Sequence, residues 1–414
     1  MHDTPAPAFP RIRVRGTARE RGVQYGARAR PQVHSARDGY ERSFAEQGLS
    51  WPEAVAFARR HLPAVTTAYP ELVEEMAGIA EGAGLPFEDI FTINCRTEIL
   101  WWAQTDGPAP ANAAHGPAEA PAGRGPGECT SFALAPHRTA DGVTLVAQNW
   151  DWLVHGIDSV VVLEVEREGG PNFVTLVEAG LLAKTTLNAH GVGIALNTLI
   201  SSRDDGSPGI PFHVLIRALA DCRHVHDAVG ILAEHRRASS GNYLVGAAGG
   251  AILDIECLPG GPEGVLPVVA ENGVLTHTNH FLSALPAIRG HDLAVRAMPD
   301  SYVRLGRIRD LVPGPGPEPV TLDALDAALR DHTDAPSSIC CHPDERSAPA
   351  SQWTTIMSVV MDLEQRALHL SEGNPCATPR LRVDYADLLR APTDRTDRTV
   401  PARTRTRPQY AAQA

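Results

Sequence analysis

Apolar residues recur at helical spacing through much of the first hundred residues. In residues 70–84 the large apolar side chains are three or four positions apart, and a glycine ends the segment. The same mixture of small, apolar and charged residues fills residues 17–33, 51–61 and 86–102. We therefore predict that residues 1–105 form a helical N-terminal part.

The helical pattern stops at a segment rich in proline, alanine and glycine. Residues 106–128 read DGPAPANAAHGPAEAPAGRGPGE, with no periodicity and almost no large apolar side chain. A segment that buries little apolar surface does not offset the entropy that it would lose on folding. We predict that residues 106–128 are a flexible linker.

From residue 129 onward the pattern changes to short runs rich in valine, leucine and threonine. Asp-Gly and Gly-Gly pairs separate several of these runs, which is typical of β-hairpins. Paired helical segments interrupt the strands, so we expect an α+β fold in which helices cover antiparallel sheets. We assign residues 129–390 to this catalytic part and the polar, Arg- and Thr-rich residues 391–414 to a disordered tail.

The overall composition excludes several classes of function. The chain has 414 residues and a formal charge of −12, which argues against binding to nucleic acid or to an anionic membrane. Its apolar runs have strand length, and its first residues include proline and arginine where a signal peptide has an apolar stretch. Seven cysteines, an odd number, fit a reducing compartment. We therefore expect a cytoplasmic protein.

Two clusters of cysteine and histidine have the residue types of metal ligands, but the spacing within each cluster argues against a metal site. CRHVH at residues 222–226 places its ligands two positions apart, which on a helix directs them to different faces. CCH at residues 340–342 lacks the two-residue gap of zinc knuckles. We expect ordinary buried cysteines and surface histidines, and no metal.

Cys129 lies at the border between the linker and the first strand of the catalytic part. Cleavage just before it would make Cys129 an N-terminal residue, and its own α-amino group would then lie beside the sulfur. That amine has an ordinary pKa near 8 and is suited to accept and return a proton. Cys129 itself can make the cut if its sulfur attacks the Glu128 carbonyl and water hydrolyses the resulting thioester.

The cluster QNWDW at residues 148–152 ends a strand that should pair with the strand starting at Cys129. Pairing would place Asp151 beside the new amine, where its carboxylate could orient the ammonium, with Trp150 in support. The alternative is a strand-end turn with an aromatic anchor, and the spacing alone does not decide between them.

A thiolate that attacks an amide also needs donors for the developing oxyanion. Three asparagines lie at strand borders and are candidates: Asn197 in GIALN, Asn242 in GNYLVG and Asn279 in THTNHF. Each of them could equally be a turn or cap residue.

Several of these motifs resemble one known family. CTSF, NWDW, GVGIALN, THTNHF and DSYVRLGRI, in this order, are similar to the acyl-coenzyme A:6-aminopenicillanate (isopenicillin N) acyltransferase family. That family belongs to the autoproteolytic N-terminal-nucleophile hydrolases and is related to bile-salt hydrolases and penicillin V acylases. The resemblance covers most of residues 11–385.

The resemblance implies a four-layer αββα sandwich and self-cleavage into an α chain, residues 1–128, and a β chain, residues 129–414. It implies that Cys129 is the nucleophile, that Asp151 orients its amine and that Asn279 is the oxyanion donor.

Further site residues follow from the same resemblance. Ser301 and Arg304 in DSYVR correspond to a region that lines the family's site, and Asn197 lines the pocket. Family members often have glycine immediately before the cysteine, where a free φ angle helps strained geometry, whereas this chain has Glu128. The Glu128–Cys129 bond, where cleavage is expected, is therefore the position at which this chain resembles the family least.

We therefore predict an enzyme, an N-terminal-nucleophile cysteine hydrolase or acyltransferase of secondary metabolism. Its expected reaction is cleavage of a linear amide in a small acylated metabolite through a thioester on Cys129. One alternative is transfer of an acyl group from an acyl-coenzyme A donor to an amine acceptor. We expect no cofactor other than this coenzyme A thioester. Another alternative is an uncleaved, non-catalytic binding module. Expected partners are the amide substrate and the cleaved α chain, and a homo-oligomer is compatible with the sequence.

Overall fold

The computed structural model describes residues 9–105, 128–284, 290–312, 318–348 and 352–390. The predicted linker, apart from Glu128, and the predicted tail lie outside the described residues, so the proposed division into parts stays a prediction. Among the described helices, none has the length and apolar content needed to cross a membrane.

The N-terminal part contains one strand and a series of helices: β1 (Arg11–Gly16), α1 (Ala18–Arg28), α2 (Arg30–Glu46), α3 (Trp51–Arg59), α4 (Leu62–Ala68), α5 (Pro70–Ala83), α6 (Phe87–Asn94) and α7 (Arg96–Thr105). The rest contains β2 (Glu128–Leu134), β3 (Leu145–Leu153), β4 (Val160–Arg167), β5 (Phe173–Glu178), β6 (Thr185–Asn188), β7 (Val192–Asn197), α8 (Phe212–Leu219), α9 (Val225–Glu234), β8 (Gly241–Ala247), β9 (Ile252–Cys257), β10 (Val265–Val269), β11 (Val274–His277), α10 (Ala294–Ala297), α11 (Asp300–Leu311), α12 (Leu322–Leu329), β12 (Trp353–Asp362), β13 (Ala367–Ser371) and β14 (Leu381–Asp384).

Local signals fix several element ends. The predicted helix at residues 70–84 is α5, and Gly84 ends it in the left-handed conformation with φ of 71°. Helix α1 begins at a capping box, in which the Thr17 hydroxyl accepts from the Glu20 amide and the Glu20 carboxylate accepts from the Thr17 amide.

The prediction of an all-helical start is wrong at β1. Its sequence RIRVRG alternates, so Ile12 and Val14 are buried while the arginines face outward. β1 pairs in parallel with β4, about 150 residues later in the chain. The predicted helix at residues 86–102 is also divided in two, where the Asn94 carboxamide donates to the carbonyl groups of Ile90 and Gly180.

Two sheets carry the strands. One sheet has eight strands in the order β1-β4-β5-β6-β7-β8-β9-β10, and the other has six in the order β11-β2-β3-β12-β13-β14. Neighbours other than β1 and β4 run antiparallel. β2 and β3 of the smaller sheet lie against β7 and β8 of the larger one.

The cores show four layers. One apolar core joins the two sheets to each other and the larger sheet to the N-terminal helices. A second core packs the outer face of the six-stranded sheet against α11 and α12. Along β2, Cys129 and Ala133 belong to the first core, while Phe132 and Leu134 belong to the second. The predicted α+β, αββα sandwich is confirmed.

Candidate active site

Cys129 is the second residue of β2, and its side chain lies between the two sheets. β2 pairs with β3 in antiparallel register, with Cys129 opposite Trp150 and Glu128 opposite Asp151. This is the pairing that the sequence predicts. Cys129 is 1% exposed.

Three predicted site residues converge on the backbone of Cys129. Its amide donates to Asn279 Oδ1 at 2.7 Å, and its carbonyl oxygen accepts from Asn197 Nδ2 and from Arg304 Nη1, each at 3.0 Å. All three side chains are at most 1% exposed. Cys129, which follows the predicted scissile bond, is therefore fixed at both its backbone amide and its backbone carbonyl group.

Asn242 supports this arrangement from one step away. It is the cross-strand partner of Asn197, and its Nδ2 donates to Asn197 Oδ1 at 3.2 Å. Ser131 Oγ donates to the same oxygen at 2.6 Å. Asn197 is thereby oriented so that its amino group faces Cys129.

Ser301 and Arg304 lie one turn apart on α11, so their side chains share a face of the helix. Ser301 Oγ accepts from the backbone amide of Asn279 at 2.7 Å. Arg304 Nη2 donates to Asn279 Oδ1 at 3.0 Å, and its Nε donates to Asp300 at 2.9 Å. Helix α11 thus fixes both the backbone and the carboxamide of Asn279.

Asp151 lies directly across the sheet from Glu128, on the opposite face of the strand pair from the Cys129 side chain. Its Oδ1 accepts from Thr355 Oγ1 at 2.5 Å, and that hydroxyl accepts from the Cys341 amide at 2.9 Å. The backbone of Asp151 therefore lies opposite Glu128, as the predicted strand pairing requires, and its role in orienting the amine stays a prediction.

Burial raises the pKa of the Cys129 thiol. The nearby Lys184 ammonium acts in the opposite direction, whereas the Asp151 carboxylate raises the pKa further. A hydrogen bond with Gln148 and the positive charge of Arg304 also favour the thiolate. The buried thiol therefore keeps its proton unless a nearby group accepts it.

Lys184 is a site residue that the motifs did not identify. Burial lowers its pKa to about 7, and its Nζ lies 4.2 Å from the ring centroid of Trp150. One signal was available, since Lys184 is the single lysine among 37 lysine and arginine residues. Arginine stays protonated at any physiological pH, so a lone lysine marks a position where a cation can release its proton.

Gln148 was also missed as a site residue, although it is part of the QNWDW cluster. Its Nε2 donates to the Leu196 carbonyl at 2.7 Å, and its Oε1 accepts from Thr185 Oγ1 at 2.8 Å. It spans the space between the two sheets and also bonds to the Cys129 thiol. Gln148 lies two residues before Trp150, so the two side chains share a face of β3. Because Trp150 is paired with Cys129, this periodicity could have identified Gln148 as a neighbour of the thiol.

Of the two clusters considered as metal ligands, residues 222–226 do not converge, because Cys222 is buried while His224 and His226 stack on each other at the surface. Cys340 and His342 do approach each other, together with two ligands from elsewhere in the chain. This second group does not include any of the predicted site residues.

A cavity of about 530 Å³ lies among the N-terminal helices and is lined by residues that include Val55, Leu62 and Phe91. None of the predicted site residues lines it. We therefore do not assign it to the substrate of Cys129.

Comparison with known proteins identifies relatives of the chain. The acyl-coenzyme A:6-aminopenicillanic acid acyl-transferase family matches residues 138–377. The acyl-coenzyme A:6-aminopenicillanic-acid-acyltransferase 40 kDa form of Emericella nidulans is 26% identical over 368 residues, which are 88% of this chain and 92% of that protein.

Two solved structures are similar at low sequence identity. A conjugated bile acid hydrolase variant from Clostridium perfringens has 12% identity and a TM-score of 0.42, covering 63% of this chain and 94% of its own. Penicillin V acylase from Agrobacterium tumefaciens has 14% identity and a TM-score of 0.40, covering 63% and 88%. Because both TM-scores lie below 0.5, we draw nothing further from these two structures.

The family match spans more than half of the 414 residues and includes Asp151, Asn279 and Arg304, while Cys129 lies just before its start. The resemblance that the sequence motifs indicate is confirmed, and so is the predicted class of enzyme. The chain belongs to the acyl-coenzyme A:6-aminopenicillanic acid acyl-transferase family.

Proposed function

We propose that the chain is an autoproteolytically activated cysteine amidohydrolase or acyltransferase whose nucleophile is Cys129. The observation that carries the proposal is the convergence of Asn279, Asn197 and Arg304 on the backbone of Cys129. Buried backbone groups need partners in any protein. Here three polar side chains from the family motifs supply them to the residue that the same motifs identify as the nucleophile.

Activation begins when the Cys129 sulfur attacks the carbonyl carbon of Glu128. The Glu128–Cys129 C–N bond breaks as its nitrogen gains a proton, and the acyl group of Glu128 passes to the sulfur as a thioester. Water then hydrolyses the thioester, which leaves a Glu128 carboxylate, a free thiol and a free α-amine. The hydrogen bond from the Cys129 amide to Asn279 holds the leaving nitrogen during this step.

The uncut chain has no α-amine at Cys129, so another group must accept the thiol proton. Lys184 is suited to this role because its pKa of about 7 leaves a neutral fraction at physiological pH. When it carries the proton, its charge stabilises the thiolate next to it.

After cleavage the α-amine of Cys129 is the base for substrate turnover. Asp151, across the strand pair, orients the ammonium form, and Thr355 fixes the carboxylate. Asn279 donates to the oxyanion of the substrate: one hydrogen of its Nδ2 is directed to the Thr198 carbonyl at 3.0 Å, and the second is the donor that we assign to the reaction.

The two chains, residues 1–128 and 129–414, stay together after cleavage in this account. The N-terminal chain contributes β1 to the eight-stranded sheet through its pairing with β4. Its helices share an apolar core with both sheets. Cleavage therefore frees the Glu128 carboxylate and the Cys129 α-amine without separating the layers.

For the reaction itself, we propose hydrolysis of a linear amide in a small acylated metabolite. Acyl transfer from a coenzyme A thioester to an amine is the second candidate, and the name of the Emericella nidulans relative favours it. The cleaved protein should be incubated first with a panel of N-acylated amines and amino acids, and release of carboxylic acid measured.

The same protein should then receive acyl thioesters together with amine acceptors, and amide formation measured. Acid release alone supports the hydrolase, whereas amide formation supports the acyltransferase. Cys129→Ala is the control and should be inactive in both assays. Equal turnover by Cys129→Ala would contradict the proposal, and a chain that remains whole and inert would instead be a non-catalytic binding module.

A further inference from the structure

We propose that His332, Cys340, His342 and Cys376 form a structural zinc site. It joins the segment between α12 and β12 to the segment between β13 and β14. The ligand atoms of these four residues all lie within 4.8 Å of one another. The proposal replaces the expectation, based on short spacing, that the chain binds no metal.

Four of the six distances among the ligand atoms match the edges of a zinc-centred tetrahedron. Cys340 Sγ lies 3.6 Å from Cys376 Sγ and 3.6 Å from His342 Nε2. His342 Nε2 lies 3.4 Å from Cys376 Sγ and 3.0 Å from His332 Nε2. Zn–S bonds of about 2.3 Å and Zn–N bonds of about 2.0–2.1 Å require edges of roughly 3.8 Å for S–S, 3.5 Å for S–N and 3.3 Å for N–N. Each of these four distances lies within roughly 0.3 Å of its requirement.

The donor set selects the metal. Two thiolates and two imidazoles favour zinc over magnesium or calcium, which prefer oxygen ligands. All four positions are supplied by the protein, which is typical of a structural site and not of a catalytic one. The competing chemistry is a disulfide between Cys340 and Cys376, but their sulfurs are well beyond the S–S bond length of about 2.05 Å.

Polar groups around the cluster hold its two halves in place. Asn374 Nδ2 donates to the Cys341 carbonyl at 2.7 Å and lies 3.8 Å from Cys340 Sγ. Ser338 Oγ donates to the Cys340 carbonyl at 2.7 Å. Bonds of this kind orient metal ligands and increase affinity, so the cluster has the outer shell of a metal site.

The segment that the metal would anchor also supports the candidate active site. The amide of Cys341, next to a ligand, donates to Thr355, and Thr355 donates to Asp151. Asn149 of β3 donates to the Ile339 carbonyl of the same segment and to the carbonyl of Leu329, the last residue of α12, each at 2.8 Å. A bound metal would therefore stabilise the backbone behind Asp151, and this consequence alone depends on the proposed function.

The test measures zinc on the full chain. Protein produced in zinc-supplemented medium should retain one zinc ion per chain after dialysis, by elemental analysis. Cobalt(II) exchanged into the site should give the intense visible absorption of tetrahedral thiolate coordination. Cys376→Ser and His332→Ala should weaken zinc affinity at least about 100-fold in competition with a chromogenic chelator, since even outer-shell partners contribute 10- to 100-fold.

Matched controls separate ligation from general damage. Cys376 and His332 are exposed, so their replacement should leave the fold intact. Cys222→Ala removes a buried cysteine and His226→Ala an exposed histidine outside the cluster, and both variants should bind zinc like the unmodified chain. The same measurements on Cys129→Ala make the result independent of cleavage and catalysis.

Three results would overturn the proposal. The first is a wild-type chain that holds no zinc after supplementation. The second is zinc affinity that is unchanged in both ligand variants. The third is a mass lower by two hydrogens, mapped to a Cys340–Cys376 disulfide, in protein purified under reducing conditions.

Discussion

Lys184 is the single lysine of the chain, so its ε-amine can be titrated by itself. Burial lowers its pKa from an ordinary 10.5 to about 7, and the amine lies over the ring of Trp150, the cross-strand partner of Cys129. Our account uses this amine as the proton acceptor in the uncut chain. The perturbation that tests it is replacement by methionine, which keeps the unbranched shape, or by arginine, which keeps the charge.

The energetic consequence follows from the change in pKa. Each tenfold change in an acid dissociation constant corresponds to about 1.4 kcal/mol, so the charged form of Lys184 costs roughly 4 to 5 kcal/mol in the folded chain. The unfolded chain keeps this proton up to about pH 10. Between pH 7 and pH 10 the unfolded state binds more protons, so the contribution of Lys184 to stability rises with pH.

Lys184→Met should therefore be more stable than the unmodified chain at pH 7, and its advantage should shrink as the pH rises. From the pKa of about 7, the difference in free energy of unfolding between the two should fall by about 2 kcal/mol from pH 7 to pH 9. Denaturant unfolding at the two pH values measures it. Both chains should carry Cys129→Ala, so that neither is cleaved.

NMR gives the pKa directly, because lysine labelled with ¹³C at Cε produces one signal. In the Cys129→Ala chain the titration midpoint should lie at or below about pH 7, since the Cys129 thiolate raises the pKa of Lys184 and is absent there. Cleavage should be slow in Lys184→Met and in Lys184→Arg, because neither residue accepts a proton at neutral pH. A midpoint above about pH 10, or rapid cleavage in both variants, would refute the reasoning.

Three further predictions concern Arg304, Asn279 and the zinc site. Arg304→Met removes the donor to Asp300, to the Thr130 hydroxyl, and to the Cys129 carbonyl and Asn279 Oδ1, of which the last two each keep one other partner. We expect a loss of about 2 to 3 kcal/mol of transition-state stabilisation and a roughly 30- to 150-fold slower cleavage in timed cell-free translation. Arg309→Met, on the exposed side of the same helix, should cleave at the normal rate, and equal rates for the two variants would contradict the assignment. Asn279→Ala should lower kcat of the cleaved enzyme about 10²- to 10³-fold as an oxyanion donor, with KM nearly unchanged, and an effect on KM alone would argue for simple binding. Zinc at 100 times its Kd should stabilise the chain by about 2.7 kcal/mol. A chelator should therefore lower the Tm of the unmodified chain and leave the Tm of Cys376→Ser unchanged. An equal decrease in the Tm of both chains would contradict the zinc site.

The elements that could be predicted from the sequence are those with strong local signals. Helix α5 was predictable from apolar spacing followed by Gly84, and the β2–β3 pairing from the Asp-Gly pair between two β-type runs. β1 was missed because six residues of alternation give a weak signal and its partner β4 lies far along the chain. β14 was missed because this edge strand has only 4 residues, although its partner β13 lies nearby in the chain.

The candidate site shows the same limit. The asparagines and Arg304 were found because they belong to motifs whose order resembles a family, and the structure brings them to Cys129. Lys184 belongs to no motif, and its low pKa comes from burial between elements that are distant in sequence. The zinc ligands were missed because they span 45 residues, from His332 to Cys376, and converge only through the packing of two loops.

The central claim is that the chain breaks between Glu128 and Cys129 and that Cys129 breaks it. The most direct test is intact-mass analysis of freshly purified protein, followed by N-terminal sequencing of each fragment. We predict two fragments, the larger of which begins at Cys129, while Cys129→Ala remains a single chain of 44.3 kDa. A wild-type chain that stays whole after prolonged incubation, or a Cys129→Ala chain that is cut at the same bond, would contradict the account.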